Sequence, residues 1–290
     1  MGTVVTVMNM KGGVGKTTVT ANIAGFLSQY KSGKKNPKFR KILVIDYDPQ
    51  FNLSQIFLPP TKYFSLEESK KTCLTVLADD NSNVDPFSLQ VPGNISPPKV
   101  AEIATEVFRP AANAGGLDIV PSTLDLMYVA LGRASHQTKR IEERFGKFIE
   151  ECRSIYDLVF IDCHPAGSLL TNTSLSNSDH VLIPVAPQSS AVRGVGLMMK
   201  FIESRVGGNR GVVPHILFNS VPRVKISNEE SVIRGIKGMS NLCLSKSLKR
   251  YSAFGEAQNG VGFVWKSGKP YSTEAFLNLA EVANEFVDRI

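Results

Sequence analysis

The chain reads as an α/β fold, a doubly wound and mostly parallel sheet flanked by helices. Three observations predict it: short apolar runs recur along the 290 residues, helix-period segments separate them, and a glycine-rich turn joins the first run directly to the first helix. The runs are Val4 to Met8, Ile42 to Ile45, Leu117 to Val120, Leu158 to Ile161, Val181 to Val185 and Val212 to Phe218. They are continuous rather than alternating, as strands buried on both faces must be. Between them, Thr17 to Tyr30 sets Ile23, Ala24 and Leu27 on one helical face, and Lys139 to Ile155 does the same with Ile141, Phe145, Phe148 and Ile149. A further helix starts near Thr273. Residues 58–116 are richer in Pro, Asn, Ser and Asp and only weakly periodic, so they read as an elaboration on one domain spanning 1–290.

Composition narrows the function classes. Hydrophobic residues make up 42% and charged residues 20%, enough apolar surface for a sizeable core and against disorder. No stretch approaches the roughly 18 apolar residues of a membrane-spanning helix, and the N-terminus has no secretory-signal pattern, so the expected location is the cytoplasm. Cys73, Cys152, Cys163 and Cys243 lie far apart without a Cys-x-x-Cys pair, which argues against a zinc site or a disulfide framework. The net charge of +7 favours polyanionic partners. That charge is localised: Gly196 to Pro270 holds twelve Lys and Arg against four Glu, while residues 271–290 are acidic. A second basic run, Lys31, Lys34, Lys35, Lys38, Arg40 and Lys41, is broken by Gly33 and Pro37 and reads as a solvated loop.

The turn after the first strand is Lys11-Gly12-Gly13-Val14-Gly15-Lys16-Thr17-Thr18. Its glycines let the backbone curl so that several N–H groups point inward, and the following helix adds the positive end of its dipole. Lys16 supplies a point charge for β- and γ-phosphates, and the Thr17 hydroxyl is placed to coordinate Mg²⁺. The general phosphate-loop pattern has a Gly where this chain has Met10. Two further strands close on carboxylates. Ile42 to Ile45 runs into Asp46-Tyr47-Asp48-Pro49-Gln50, whose spacing of two puts Asp46 and Asp48 on one side; Leu158 to Ile161 ends in Asp162. In a doubly wound sheet such strand ends form the ligand crevice.

Lys-Gly-Gly-Val-Gly-Lys-Thr-Thr, with its extra leading lysine, resembles the deviant Walker A box of the ParA/MinD family of ATPases at every position. Asp46-x-Asp48-Pro49-Gln50 resembles the family's switch segment, with Asn52 following where the family often has Gly-Asn, and Cys163-His164-Pro165 resembles its Asp-Cys-Pro-Pro with His164 in place of the first proline. Leu117 to Ser122, Val181 to Val185 with Ala191 and Gly194, and Ser267-Gly268-Lys269-Pro270 extend the likeness over most of the chain, residues 58–116 excepted. The resemblance implies ATP with Mg²⁺ and an ATP-dependent homodimer in which Lys11 reaches the partner's nucleotide. It also implies Asp48 orienting the attacking water, Asp46 and Asp162 in the Mg²⁺ shell with Thr17, and Asn219 at the adenine.

Members of the family differ in what the ATP-bound dimer holds. The acidic C-terminal stretch argues against the basic amphipathic membrane anchor of MinD-like members. The cationic stretch fits sequence-independent DNA binding through phosphates, with Arg223, Lys225, Lys246, Lys249 and Arg250 as candidate contacts. The expectation is a partition ATPase of the ParA kind, nucleoid-associated and stimulated by a ParB-like centromere-binding protein, that segregates plasmid or chromosome DNA. The alternative is a relative that positions a flagellar, chemoreceptor or secretion assembly. Kinship with the nitrogenase iron protein is disfavoured, because no cysteine here stands in a matching context.

Overall fold

The computed structural model describes residues 1–30, 39–78, 95–109, 115–130, 135–164, 167–205, 211–259 and 263–290. Its strands are β1 (Thr3–Val7), β2 (Lys41–Tyr47), β3 (Thr105–Phe108), β4 (Gly116–Val120), β5 (Leu158–Cys163), β6 (His180–Val185) and β7 (Val213–Phe218). Its α-helices are α1 (Lys16–Gln29), α2 (Asn52–Phe57), α3 (Pro60–Glu68), α4 (Cys73–Leu77), α5 (Val100–Ile103), α6 (Leu126–Ala130), α7 (Ser135–Ile155), α8 (Leu169–Ser176), α9 (Ala191–Arg205), α10 (Asn228–Gly235) and α11 (Ser272–Arg289).

Every apolar run singled out in the sequence is a strand, with ends within two residues of those expected. The sheet order is β3-β4-β2-β5-β1-β6-β7, parallel throughout except where β3 pairs antiparallel with β4. Successive strand residues serve opposite faces. Val4, Leu43, Ile45, Val159 and Ile161 pack with α7, α8 and α9. Val5, Val7, Ile42, Val44, Leu158 and Phe160 pack with α1 and α11. Both faces are thus covered, which is why the runs carry no polar alternation.

Three features go beyond the sequence reading. α1 is buried all round from Val19 to Ser28 rather than along one face, because it lies between the sheet and α11. Residues 58–116 contribute α3, α4, α5 and the edge strand β3, none of which periodicity marks. And β7 does not end the sheet cleanly: Leu244 N donates to Ile216 O (2.8 Å), Leu248 N to Phe218 O (2.8 Å) and Arg250 N to Val221 O (2.8 Å), so residues 243–250 track β7 as an irregular outer rail. The lysine run at 31–38 falls outside the described residues; Lys41 opens β2.

Parallel strands deliver their C-terminal ends to one edge of the sheet. The turns leaving β1, β2, β5, β6 and β7 therefore meet there, on either side of β1. Register sharpens the meeting: Val7 pairs with Asp162 and Asp162 with Asp46, so the two acids stand side by side one strand from the loop.

Candidate functional site

Between β1 and α1 the chain makes the glycine-rich turn. Gly13 (φ 73°) and Gly15 (φ 84°) are left-handed, a conformation that L side chains adopt only at a cost. Gly12 and Gly13 are exposed, and a Cβ on either would meet nothing within 4 Å, which leaves an open cradle above the loop backbone. Gly15 is different. A Cβ there would lie 2.3 Å from Asn219 Nδ2, because Asn219 presses its amide against the loop and donates to Val14 O at 2.8 Å. The loop's other end is fixed by Asn9, whose Oδ1 accepts from Lys11 N (3.0 Å) and whose Nδ2 donates to Pro184 O of β6 (2.8 Å). Strand β6 and the turn after β7 thus clamp the loop, offsetting the conformational entropy that its left-handed turns lose on being fixed.

Lys16 is buried to 8% exposure, and among the described residues no hydrogen bond or ion pair engages its ammonium. A buried cation in that state calls for an anion. Thr17 and Thr18 are half-buried in the first turn of α1, at the helix end that follows the cradle. Lys11 turns back along its own chain: its ammonium donates to Gln188 Oε1 and, at 2.7 Å, to Ser190 Oγ, both in the turn between β6 and α9.

Three carboxylates share the floor. Asp162 is almost fully buried; burial pushes its carboxyl up to about 7, against the opposing pull of Thr17, Lys16 and Thr20, with Asp48 adding repulsion. Asp46 is raised well above the usual carboxylate range by burial and then by Asp162. Its Oδ2 accepts from both Ser54 N (2.7 Å) and Ser54 Oγ (2.6 Å), and its Oδ1 faces Asp48 N at 3.4 Å. Asp48, 8% exposed, accepts from Gln50 N on Oδ1 (3.0 Å). Crowded buried acids of this kind suit a small hard cation. Yet no group of three or more His, Cys, Asp or Glu among the described residues encloses a metal by itself. That donor set fits Mg²⁺, which keeps several waters and takes a hydroxyl, one or two carboxylates and phosphate oxygens. Cys163, next to Asp162, is buried with its thiol pushed up to about 12 by burial, an inert core position. His164 closes the described segment, and Pro165 lies outside it.

Asn219 follows β7 immediately. One amide hydrogen goes to Val14 O and one lone pair accepts from Ser220 N (2.9 Å), so a donor and an acceptor remain for a base edge. Beyond it opens a cleft of about 550 Å³ lined by Pro187, Pro222, Arg223, Tyr251, Pro270 and Tyr271, among others. Arg223 stacks on Tyr271 (4.6 Å) and lies 5.7 Å from Tyr251. Backbone strain collects around these turns: of the four non-glycine residues with left-handed φ among the described residues, Phe51 lies three residues after Asp48, Ser220 follows Asn219 and Tyr271 lines the cleft.

The outer rail brings the predicted basic residues together. Val221 pairs with Lys249, and a groove of about 320 Å³ is lined by Arg223, Lys225, Lys246 and Lys249, with Arg250 on the adjoining cleft. Val224 and Ile226 stand exposed between the cations, at 93% and 68%. Lys246 is not a free charge: it pairs with Glu281 of α11 at 3.6 Å, and Glu285 accepts from Ser245 N and Lys246 N. The acidic C-terminal helix lies against the basic segment and offsets part of it.

Sequence reasoning located the loop and the carboxylates but missed Asn9, Ser54, Ser122, Gln188 and Ser190. Asn9 alone carries a signal, an amide at the very end of a buried strand; the serines and Gln188 acquire meaning only from what the fold places beside them.

The model of the family described as AAA domain matches residues 2–207. The sporulation initiation inhibitor protein Soj of Bacillus subtilis is 26% identical over 204 residues, 70% of this chain and 65% of Soj. A ParA family protein of Chlamydia trachomatis is 26% identical over 200 residues, 69% of this chain and 64% of the relative. Among solved structures, a Borrelia burgdorferi protein described as a plasmid partition protein and bound to AMPPNP superposes with a TM-score of 0.71 at 19% identity, covering 100% of both chains. No helix among the described residues is long and apolar enough to cross a membrane. The family match takes in β1 through α9, with the glycine turn, the acid-ended strands and the Lys11 contact, and so the chain belongs to the AAA-domain family, as a P-loop ATPase of the ParA/MinD type.

Proposed function

We propose that the chain binds ATP with Mg²⁺, pairs with a second copy in that state, grips DNA without reading its sequence, and lets go when the γ-phosphate is hydrolysed. The observation that carries this reading is the buried Lys16 ammonium, which makes no hydrogen bond or close ion pair among the described residues and has only the nearby Asp162 to offset its charge, beneath an open glycine cradle with Asp48 on the same floor. Gly12 through Thr18 offer backbone N–H groups and Lys16 to the phosphates. Thr17 and Asp162 hold the cation, and Asp46 adds Oδ1, its less engaged oxygen. Bound there, Mg²⁺ neutralises charge that develops on the phosphates. Asp48 orients the attacking water. The remaining donor and acceptor of Asn219 suit the adenine edge, and the Pro222, Tyr251 and Tyr271 walls suit its faces.

Lys11 is the link between copies. Held by neutral partners on an exposed turn, its ammonium is available to a triphosphate presented from outside the chain, so Gln188 and Ser190 give up a weak site for a strongly anionic one. Dimerisation then doubles the rail bearing Arg223, Lys225, Lys249 and Arg250, with Lys246 the weaker member because Glu281 already pairs with it. Affinity for DNA from such a rail comes from counterion release. The reading includes a ParB-like partner that stimulates hydrolysis and DNA as cargo, in the cytoplasm at the nucleoid, with no stable membrane anchor.

The test is a DNA titration with ATP, ADP or no nucleotide at several salt concentrations. Tight binding with ATP alone is expected. Joint replacement of Lys246, Lys249 and Arg250 by Glu should weaken it on every sequence and flatten its salt dependence. Equal binding in all nucleotide states, or an unchanged salt slope, refutes the assignment.

A further inference from the structure

Asp48 is held in place by groups other than its own carboxylate. Its carbonyl accepts from Phe51 N (2.9 Å) and from the Ser122 hydroxyl (2.7 Å), while its amide faces Asp46 Oδ1. Ser122 sits just past β4, and its own amide donates to Ser54 Oγ at 3.0 Å. Ser54 Oγ in turn donates to Asp46 Oδ2. The four residues close a ring across three elements: the end of β2, the first turn of α2 and the exit of β4. Asp46, Ser54 and Ser122 are all 0% exposed, so water does not compete for these bonds.

The ring has one direction. The Ser122 amide fills a lone pair of Ser54 Oγ, so the Ser54 proton must point to Asp46; the Ser54 amide donates to the same oxygen. Ser122, bound through its amide, has its hydroxyl proton for Asp48 O. Outside the ring, Phe51 sits left-handed (φ 43°) and stacks on Tyr63 at 5.2 Å, and the Tyr63 hydroxyl lies 3.2 Å from both Ser122 O and Glu67 Oε1, its one proton shared between them. The left-handed turn that aims Asp48 is therefore braced on both sides.

We propose that Ser54 and Ser122 are positioning residues for hydrolysis: with Asp46 they lock the backbone at Asp48 so that its Oδ2, which has no hydrogen-bond partner among the described residues, keeps a single aim. This rests on the reading of Asp48 as the residue that orients the water. It gives the buried Asp46 a task in which its carboxylate organises the switch turn directly. Misplacing a catalytic group by about an ångström costs on the order of a hundredfold in rate, whereas substrate affinity, set by the glycine loop, is untouched.

The experiment uses the full chain and the variants Ser122→Ala, Ser54→Ala and Asp48→Ala. Asp46 is left alone because it also borders the cation site. Each serine variant should lower kcat at least about tenfold while KM for ATP and affinity for AMPPNP stay within about twofold. In the Asp48→Ala background neither should lower turnover further. In nucleotide-free Ser122→Ala, the Phe51 and Ser54 amides should exchange about tenfold faster than in the parent. Parental kcat in both serine variants, or a full additional loss in the Asp48→Ala background, overturns the proposal. Parental turnover in Asp48→Ala overturns instead the assignment of Asp48, and this proposal with it. Should Ser122→Ala fail to fold, Ser54→Ala carries the same comparison and its Phe51 amide the same exchange reading.

Discussion

Gly15 leaves no room for a side chain, and the reason is Asn219. A methyl at that position meets the Asn219 amide at 2.3 Å and must also adopt φ 84°. Gly15→Ala should destabilise the fold by about 2–3 kcal/mol, the sum of a left-handed penalty of about 1–2 and a displaced hydrogen bond of about 1. Urea unfolding measures it; an unchanged midpoint would mean that the clamp on the loop is slack. Lys16→Gln keeps most of the stem and removes the charge. It should weaken ATP binding roughly 10- to 100-fold, the worth of charge-assisted hydrogen bonds at about 1.5–3 kcal/mol, and calorimetric titration with AMPPNP reads it directly. These positions were legible in the sequence because phosphate binding demands particular residue types at fixed spacing. Ser54 and Ser122 were not: they are 68 residues apart, and serine marks a turn as readily as a buried relay.

Among elements, the buried parallel strands announced themselves and the others did not. β3 is a four-residue antiparallel edge strand, partly exposed, so it needs no apolar run to form. α1 offered a one-faced pattern although α11 covers its far side, and the cover comes from the opposite end of the chain. The β6–β7 pair carries a pH dependence of its own. His180 Nδ1 lies 3.0 Å from His215 Nε2, while Phe286 of α11 meets the His215 ring edge-on at 5.6 Å. Burial, followed by His180 and Arg289, lowers His215 from 6.5 to about 4. The unfolded chain therefore takes up this proton near pH 6.5 and the native chain only near pH 4. Stability from this group is complete above pH 6.5 and is lost as pH falls toward 4, by at most about 3 kcal/mol. Urea unfolding of the parent and of His215→Leu from pH 7 to 4.5 checks this. The variant should lose stability less steeply; parallel curves would show that the ring titrates normally.

At the scale of the whole molecule, the net charge of +7 was visible from composition, but its display was not. The outer rail gathers Arg223, Lys225, Lys249 and Arg250 from two segments of chain, and α11 partly neutralises what lies beside it. The exits of β2, β5, β6 and β7 converge on the glycine loop that leaves β1, and Lys11 of that loop is engaged among the described residues by the uncharged Gln188 and Ser190. On this account a triphosphate seated between two copies completes both sites and brings both rails into play. Sedimentation velocity with Mg²⁺ and AMPPNP, with Mg²⁺ and ADP, and without nucleotide measures that step most directly. A dimer with AMPPNP alone, reverting to monomer in Lys11→Ala, is the predicted result; a monomer in all three conditions would contradict it.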